Sequence, residues 1–126
     1  MLTYVINKYN KMSTLAVVGS RTFQSYAVLK QRLDEERNKT PFDTIVSGGA
    51  EGADTLAAQY ARENGIVLVE LRPDMSKGRF APLIRNTDIV RRADRVIAFW
   101  DGQSTGTLDS IKKARKMSKP LIIVNV

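Results

Sequence analysis

Three short stretches of this chain concentrate the residue types that hold anions. The longest is Ser47-Gly48-Gly49-Ala50-Glu51-Gly52-Ala53-Asp54, which follows the apolar run Thr44-Ile45-Val46 and leads into the helical pattern Leu56-Ala57-x-x-Tyr60-Ala61. A strand that breaks into glycines and restarts as a helix leaves the first backbone N–H groups of that helix without intrahelical partners. Those donors and the positive end of the helix dipole favour an anion, most often a phosphate. Glycine also lets the backbone adopt positive φ and a ligand approach closely. Asp54 falls in the first helical turn, where a carboxylate suits the dipole or accepts from a sugar hydroxyl. The same stretch also reads as a tight turn capped by Ser47 or Asp54.

A second turn, Gly19-Ser20-Arg21, ends the apolar run Leu15-Ala16-Val17-Val18. Arg21 offers a fork of donors to a phosphate or a flat face to a base. The third, Asp101-Gly102-Gln103-Ser104-Thr105-Gly106-Thr107, is rich in hydroxyls and again stands between an apolar run and a helical pattern. With no histidine and no cysteine, the chain lacks the commonest general base and metal ligand and any thiolate. Catalysis would have to run on carboxylates, with Glu51 and Asp54 the candidates, or on hydroxyls, lysines and backbone dipoles. No cofactor and no metal is called for.

The elements that carry these turns alternate along the chain. Continuous rather than alternating hydrophobicity in Leu15–Val18 indicates a strand buried on both faces, as in a parallel sheet. A helix follows over Gln24–Asn38 with Tyr26, Leu29 and Leu33 on one face, then a strand over Asp43–Val46. The helix after the central turn runs to about Asn64, with small residues at Ala53, Ala57 and Ala61 and Gly65 as the expected C-cap. Strands are expected over Ile66–Leu71, Arg95–Trp100 and Leu121–Val124, and helices over Leu83–Arg92 and Thr107–Met117, the latter burying Leu108, Ile111, Ala114 and Met117. Met75–Pro82 reads as a loop over the cleft. The pattern β-α-β-α-β-α-β-α-β predicts an α/β fold: one doubly wound, Rossmann-like domain, a five-stranded parallel sheet of order 3-2-1-4-5 with helices on both faces. A ligand then belongs at the carboxyl ends of the strands, at the switch point between the first and fourth.

Composition sets the outer bounds. A chain of 126 residues, 43% apolar and 26% charged, is of ordinary globular type and suits one core. No apolar run approaches the roughly 18–20 residues that cross a bilayer, so no membrane partner is expected. The N-terminus lacks a signal-peptide layout, and a cytoplasmic location is expected. Residues 1–12 read as an extension to a domain over 13–126, with Met12-Ser13 a second start and Leu2–Ile6 an edge strand, a dimer contact or a tail. A formal net charge of +7 favours an anionic partner, against the alternative of a solvated basic surface.

Together Gly19-Ser20-Arg21, the Ser47–Asp54 turn, Arg85-Asn86 and Gly106-Thr107 resemble the SLOG superfamily, the Rossmann-like group that includes the Lonely Guy cytokinin-activating enzymes and DNA-processing protein A. The resemblance runs from about Met12 onward and is nearest to the small single-domain bacterial and phage members. It implies binding of a nucleotide, a nucleotide-sugar or a related signalling molecule, and assembly into a homo-oligomer. The enzyme branch fits poorly. Its signature is Pro-Gly-Gly-x-Gly-Thr-x-x-Glu, whereas here Ser110 holds the glutamate position and Asp109 is one residue off, turned roughly 100° away on a helix.

The leading expectation is therefore capture of a nucleotide-derived small molecule, as a sensor or a sequestering module. Gly48, Gly49, Gly52, Ser104, Gly106 and Thr107 would hold phosphates, with Gly19, Ser20, Ser47 and Asn86 in the same site. Arg21 and Arg85 would neutralise charge, Asp54 or Asp101 would read ribose hydroxyls, and Phe23 or Trp100 would stack on a base. One alternative is a nucleoside 5′-monophosphate phosphoribohydrolase using Glu51 or Asp54. Another is a single-stranded nucleic-acid binder in which Arg91, Arg92, Arg95, Lys112, Lys113 and Lys116 track phosphates.

Overall fold

The apolar runs become the inner strands of one sheet. The structure, a computed structural model, describes residues 13–126, and the readings made for residues 1–12 lie outside them. The strands are β1 (Ser13–Gly19), β2 (Phe42–Ser47), β3 (Val67–Glu70), β4 (Arg95–Trp100) and β5 (Leu121–Asn125). Between them stand α1 (Tyr26–Lys39), α2 (Ala53–Asn64), α3 (Ala81–Arg92) and α4 (Thr105–Lys116), with a short 3-10 helix over Met75–Phe80 before α3. Every pairing is parallel and the order is β3-β2-β1-β4-β5, as the alternation of elements predicts.

Side chains alternate across this sheet and build two cores. Leu15, Val17, Ile45, Ile97 and Phe99 meet Leu29 and Leu33 of α1 and Ala53, Ala57, Tyr60 and Ala61 of α2. Ala16, Val18, Val46, Val96 and Ala98 face the other way, toward Ile89 and Val90 of α3 and Ile111 and Ala114 of α4. The small residues of α2 are fully buried, which lets that helix lie close on β1 and β2.

Several boundaries differ from the sequence reading, each for a local reason. The first helix starts two residues late because the Ser25 hydroxyl caps it, accepting from the Val28 N–H. The helix α3 starts at Ala81 rather than Leu83. Pro82 sits in its first turn, where a missing N–H costs nothing. The segment expected as a loop over Met75–Pro82 forms 3-10 turns over Met75–Phe80, capped by Asp74 and interrupted at Gly78 (φ 78°), and its last two residues open α3. The last helix starts at Thr105, capped by Ser104, and its buried face is Thr107, Ser110, Ile111 and Ala114, with Leu108 half-exposed. Of the run Ile66–Leu71, Val67–Glu70 is the strand, which among the described residues pairs only with β2, and Val67 is 59% exposed.

The amino end of the sheet is closed by an ion pair. The Arg95 guanidinium lies 3.5 Å from the Glu36 carboxylate, donates to the Thr40 carbonyl and covers the Phe42 ring. Arg95 therefore stands at the end of the sheet opposite the three turns, which corrects its place on a phosphate track. Lys113 leaves that track as well. Its ammonium group donates to Asp109 at 2.7 Å and to the Leu83 carbonyl at 2.6 Å.

Candidate functional site

The connections leaving β1 and β4 go to opposite faces of the sheet, so the chain parts between their carboxyl ends. A cleft of about 350 Å³ opens there. Gly19 and Arg21 line it from the end of β1, and Gly48, Ala50 and Asp54 from the turn between β2 and α2. Arg79, Pro82, Leu83, Arg85, Asn86 and Ile89 form the α3 wall, and Ser104, Thr105, Gly106, Thr107 and Ser110 the start of α4.

Two consecutive residues of α3 tie the surrounding loops together. Arg85 donates from Nη1 to the carbonyls of Gly48 (2.9 Å) and Leu71 (3.4 Å), and from Nε to Asn86 Oδ1 (3.0 Å). The Asn86 amide in turn donates to Asp109 Oδ2 (3.1 Å) and the Gly106 carbonyl (3.4 Å). Asp54 is buried, with Oδ2 accepting from the Ala50 N–H at 3.1 Å. Burial raises its pKa above the ordinary aspartate value, opposed by the N–H groups of Ala50 and Gly48 and by the Arg85 charge. Burial lowers the Arg85 pKa from its usual value, and Asp54 offsets part of that.

At the start of α4, the Ser104 hydroxyl accepts from the Thr107 N–H at 3.4 Å and lies 3.0 Å from the Thr107 hydroxyl. Helical N–H groups and three hydroxyl side chains, Ser104, Thr105 and Thr107, thus border the cleft together with Arg21 and Arg85. That arrangement can take up a phosphate without a metal ion.

Other residues singled out in the sequence stand outside the cleft. The Ser20 hydroxyl is buried and accepts from the Asp101 N–H at 3.1 Å. Asp101 uses Oδ1 to accept from the N–H groups of Ser104 (2.8 Å) and Gln103 (2.9 Å), which hold its carboxyl below the ordinary range. It borders the surface beside Thr22 and Ser25 instead of the cleft. Gly49 turns toward β3, its carbonyl accepting from Arg72 at 2.9 Å. The Ser47 hydroxyl is fully buried and has no hydrogen-bond partner among the described residues. Glu51 is exposed in a separate hollow with Gln24 and Thr55, so Asp54 is the carboxylate of the cleft.

Gly52 serves the joint between two turns. It caps α2 at φ 75° and ψ −126°, and a Cβ there would lie 2.4 Å from the Ser20 carbonyl oxygen. The Ala53 N–H donates to that same oxygen at 3.4 Å. The absence of a side chain at position 52 thus lets the β1 turn pack on the β2 turn.

Neither aromatic candidate for base stacking lines the cleft: one is buried and the other half-buried. Phe23 is buried and stacks on Phe99, with ring centroids 5.0 Å apart and planes 9° from parallel. The Trp100 indole N–H donates to the Ser104 carbonyl at 3.1 Å while its ring packs on the α3/α4 core. Ser110 lines the cleft, whereas Asp109 points to Asn86 and Lys113, so the one-residue offset turns that carboxylate out of the site. The sequence reading set the stretch holding Arg79 and Pro82 over the cleft without marking either as a site residue, and it missed Leu83 and Ile89. Ile89 follows Arg85 by one helical turn, a spacing that does place both on one face.

The YspA, cpYpsA-related SLOG family (YAcAr) matches residues 14–78, just over half of the chain. The chain belongs to this SLOG family. The matched stretch runs from β1 into the 3-10 helix and so carries the first two turns. Over 119 residues the SLOG chain is 34% identical to the Gene 61 protein of Mycobacterium phage D29, covering 88% of its own length and 95% of that protein. Its fold is that of DNA processing protein A from Streptococcus pneumoniae, with a TM-score of 0.74 at 22% identity over 93% of this chain. DNA processing protein A from Helicobacter pylori, a protein with a single-stranded DNA binding mode, matches at a TM-score of 0.65 and 27% identity over 92% of this chain. The SLOG chain spans 52% of the pneumococcal protein and 67% of the Helicobacter one. Among the described residues no helix is long and apolar enough to cross a membrane.

Proposed function

We propose that this chain captures a nucleotide-derived small molecule (a nucleotide, a nucleotide-sugar or a cyclic or ADP-ribose-type signal) in the cleft between β1 and β4, as a sensor or a sequestering module. The observation that carries this reading is the convergence of Arg21, Arg85 and the Ser104–Thr107 helix start on one volume of about 350 Å³. That volume is at the small end of ligand pockets and suits a mononucleotide-sized group. Phosphate oxygens accept from the start of α4 and from Arg21, and Asp54 accepts from ribose hydroxyls.

Capture is favoured over cleavage by the carboxylate inventory. Glycoside hydrolysis commonly divides its work between two carboxyl groups. Among the described residues lining the cleft there is only Asp54, already engaged by the Ala50 and Gly48 N–H groups. The test is titration calorimetry with mono-, di- and cyclic nucleotides and ADP-ribose derivatives, alongside mass spectrometry of any small molecule that heat releases from the protein. Binding tighter than millimolar, weakened about tenfold by Arg21→Ala, is the expected result. Binding no better than millimolar across that panel overturns the reading, and release of free base from an added nucleotide replaces it with the hydrolase.

A second reading, binding of single-stranded nucleic acid, is favoured by one further feature. A groove of about 510 Å³ runs beside β3 and α3 and shares Arg85 with the cleft; Arg72, Lys77, Arg91 and Arg92 line it together with Glu70, Asp74 and Asp88. A strand could pass from the cleft along this groove, as the likeness to a DNA-binding relative suggests. Its log affinity would fall linearly with log salt, and Arg92→Ala would reduce that slope by about one. A salt-independent affinity for a short oligonucleotide excludes it.

A further inference from the structure

With Phe23 buried and Trp100 half-buried and tied through its indole N–H to the Ser104 carbonyl, neither of the partners first expected for the base of a bound nucleotide lines the cleft. Phe42, Phe99 and Tyr60 are buried too, and the Tyr26 hydroxyl donates to Glu63 at the α1/α2 contact. Among the described aromatic residues Phe80 is the one with an exposed ring, at 54%. Phe80 does not line the cleft, but its neighbour Arg79 does, and the Arg79 guanidinium lies over the Phe80 ring with Cζ 4.8 Å from the centroid. Arg79 makes no other hydrogen bond or ion pair among the described residues, and it is exposed. An exposed guanidinium thus stands beside an exposed aromatic ring at the edge of the cleft.

We propose that Arg79 and Phe80 form a nucleobase platform: a base reaching this end of the cleft stacks on the Arg79 guanidinium, which the Phe80 ring holds flat. This rests on the reading of the cleft as a nucleotide site and adds the direction in which the nucleotide lies. Guanidinium planes and aromatic rings both stack on bases, and the two together make a continuous pile. Pro82 and Leu83 follow Arg79 in the cleft wall and give the base an apolar side. Asp54, Ser104 and Thr107 give the cleft polar groups that suit ribose and phosphate. The ligand is thus a nucleotide with its base toward the 3-10/α3 corner and its phosphate at the start of α4. Two competing uses of the same residues exist. Arg79 would serve as a plain charge for a phosphate, or the apolar corner of Phe80, Leu83 and Ile84 would seat a second copy of the chain.

The experiment measures binding of AMP and of ribose 5-phosphate to the wild-type chain, Arg79→Lys, Arg79→Ala and Phe80→Ala by calorimetry, with sedimentation of each. Lysine keeps the charge and loses the plane. The platform requires that Arg79→Lys and Arg79→Ala each weaken AMP about tenfold while ribose 5-phosphate is unchanged, and that Phe80→Ala weaken AMP by a smaller factor. AMP binding retained in Arg79→Lys refutes the platform, as does equal loss of AMP and ribose 5-phosphate in Arg79→Ala, which is the charge role. Loss of AMP binding only in step with dissociation of an oligomer refutes it in favour of the second copy. If the wild-type chain binds neither probe better than millimolar, the platform fails, and nucleotide capture fails with it only where the whole nucleotide panel is equally weak; if it binds both probes alike, the platform alone fails.

Discussion

Gly52→Ala tests how tightly the first two turns are joined. The added Cβ would stand 2.4 Å from the Ser20 carbonyl oxygen and 2.5 Å from that of Arg21, both backbone atoms. Neither carbonyl can withdraw cheaply. The Ser20 oxygen accepts from the N–H groups of Phe23 and Ala53, and the Ser20 N–H is bonded to Phe99 at 2.9 Å. Overpacking costs about 1–3 kcal/mol. The backbone at φ 75° and ψ −126° adds roughly 1–3 kcal/mol for a residue with a Cβ. The sum, about 2–6 kcal/mol, is a large part of the roughly 5–15 kcal/mol that holds a domain together.

Gly65→Ala is the control. Gly65 also has positive φ, at 63°, but a Cβ there meets nothing within 4 Å, so only the left-handed backbone is charged, about 1–2 kcal/mol. Urea unfolding followed by the fluorescence of Trp100, the single tryptophan, reads both variants. Gly52→Ala must fall below Gly65→Ala by about 1–4 kcal/mol. Equal midpoints and slopes would show that the two turns do not press on each other, and the account of position 52 would fail.

Three further outcomes follow from the geometry. The raised pKa of buried Asp54 means that the folded chain holds this proton more firmly than the unfolded one, so its ionisation takes stability away as pH rises from the ordinary 3.8 through the raised value. The stability of Asp54→Asn relative to wild type should therefore improve between pH 3 and pH 7, and a flat difference across that range contradicts the burial. Arg95→Ala leaves Glu36, whose side chain is only 6% exposed, with the exposed Lys39 ammonium 3.8 Å away as its remaining cation, and should cost about 1.5–3 kcal/mol in urea titrations. Nucleotide binding by whatever folded fraction remains should be unchanged, since Arg95 is at the far end of the sheet; weakened binding would mean that it is not. Ser20→Ala leaves the Asp101 N–H without its acceptor and should cost about 1–3 kcal/mol, while a neutral result would show that water replaces the hydroxyl.

Much of this protein is written locally. The apolar runs at Leu15–Val18 and Arg95–Trp100 declare inner strands, the alanines at positions 53, 57 and 61 declare a helix lying close on a sheet, and Gly65 declares where it ends. Alternation of strands and helices then leaves few parallel arrangements, and the three turns must gather at one edge. Nine of the residues marked for the site, Gly19, Arg21, Gly48, Asp54, Arg85, Asn86, Ser104, Gly106 and Thr107, do line one cleft. Periodicity and turn chemistry depend on neighbours a few positions away, which is why they can be read from a single chain.

Tertiary structure decided which way each side chain at an element's end faces. Phe23 and Trp100 have the composition of stacking residues, but Phe99 and the Ser104 carbonyl, far from Phe23 in the chain or across a turn from Trp100, draw them inward. Asp101 and Ser20 carry the right chemistry for a ligand and spend it on holding the loop between β4 and α4. Gly52 has the look of a phosphate contact and is instead the place where one turn needs room for another. Arg79, in a stretch with no periodic signal, enters the cleft because the 3-10 helix and Pro82 turn the chain there into α3. Phe23 meets Phe99, Ser20 meets Asp101 and Gly52 meets Ser20 only because the sheet order brings their strands together, so no local pattern could encode those contacts.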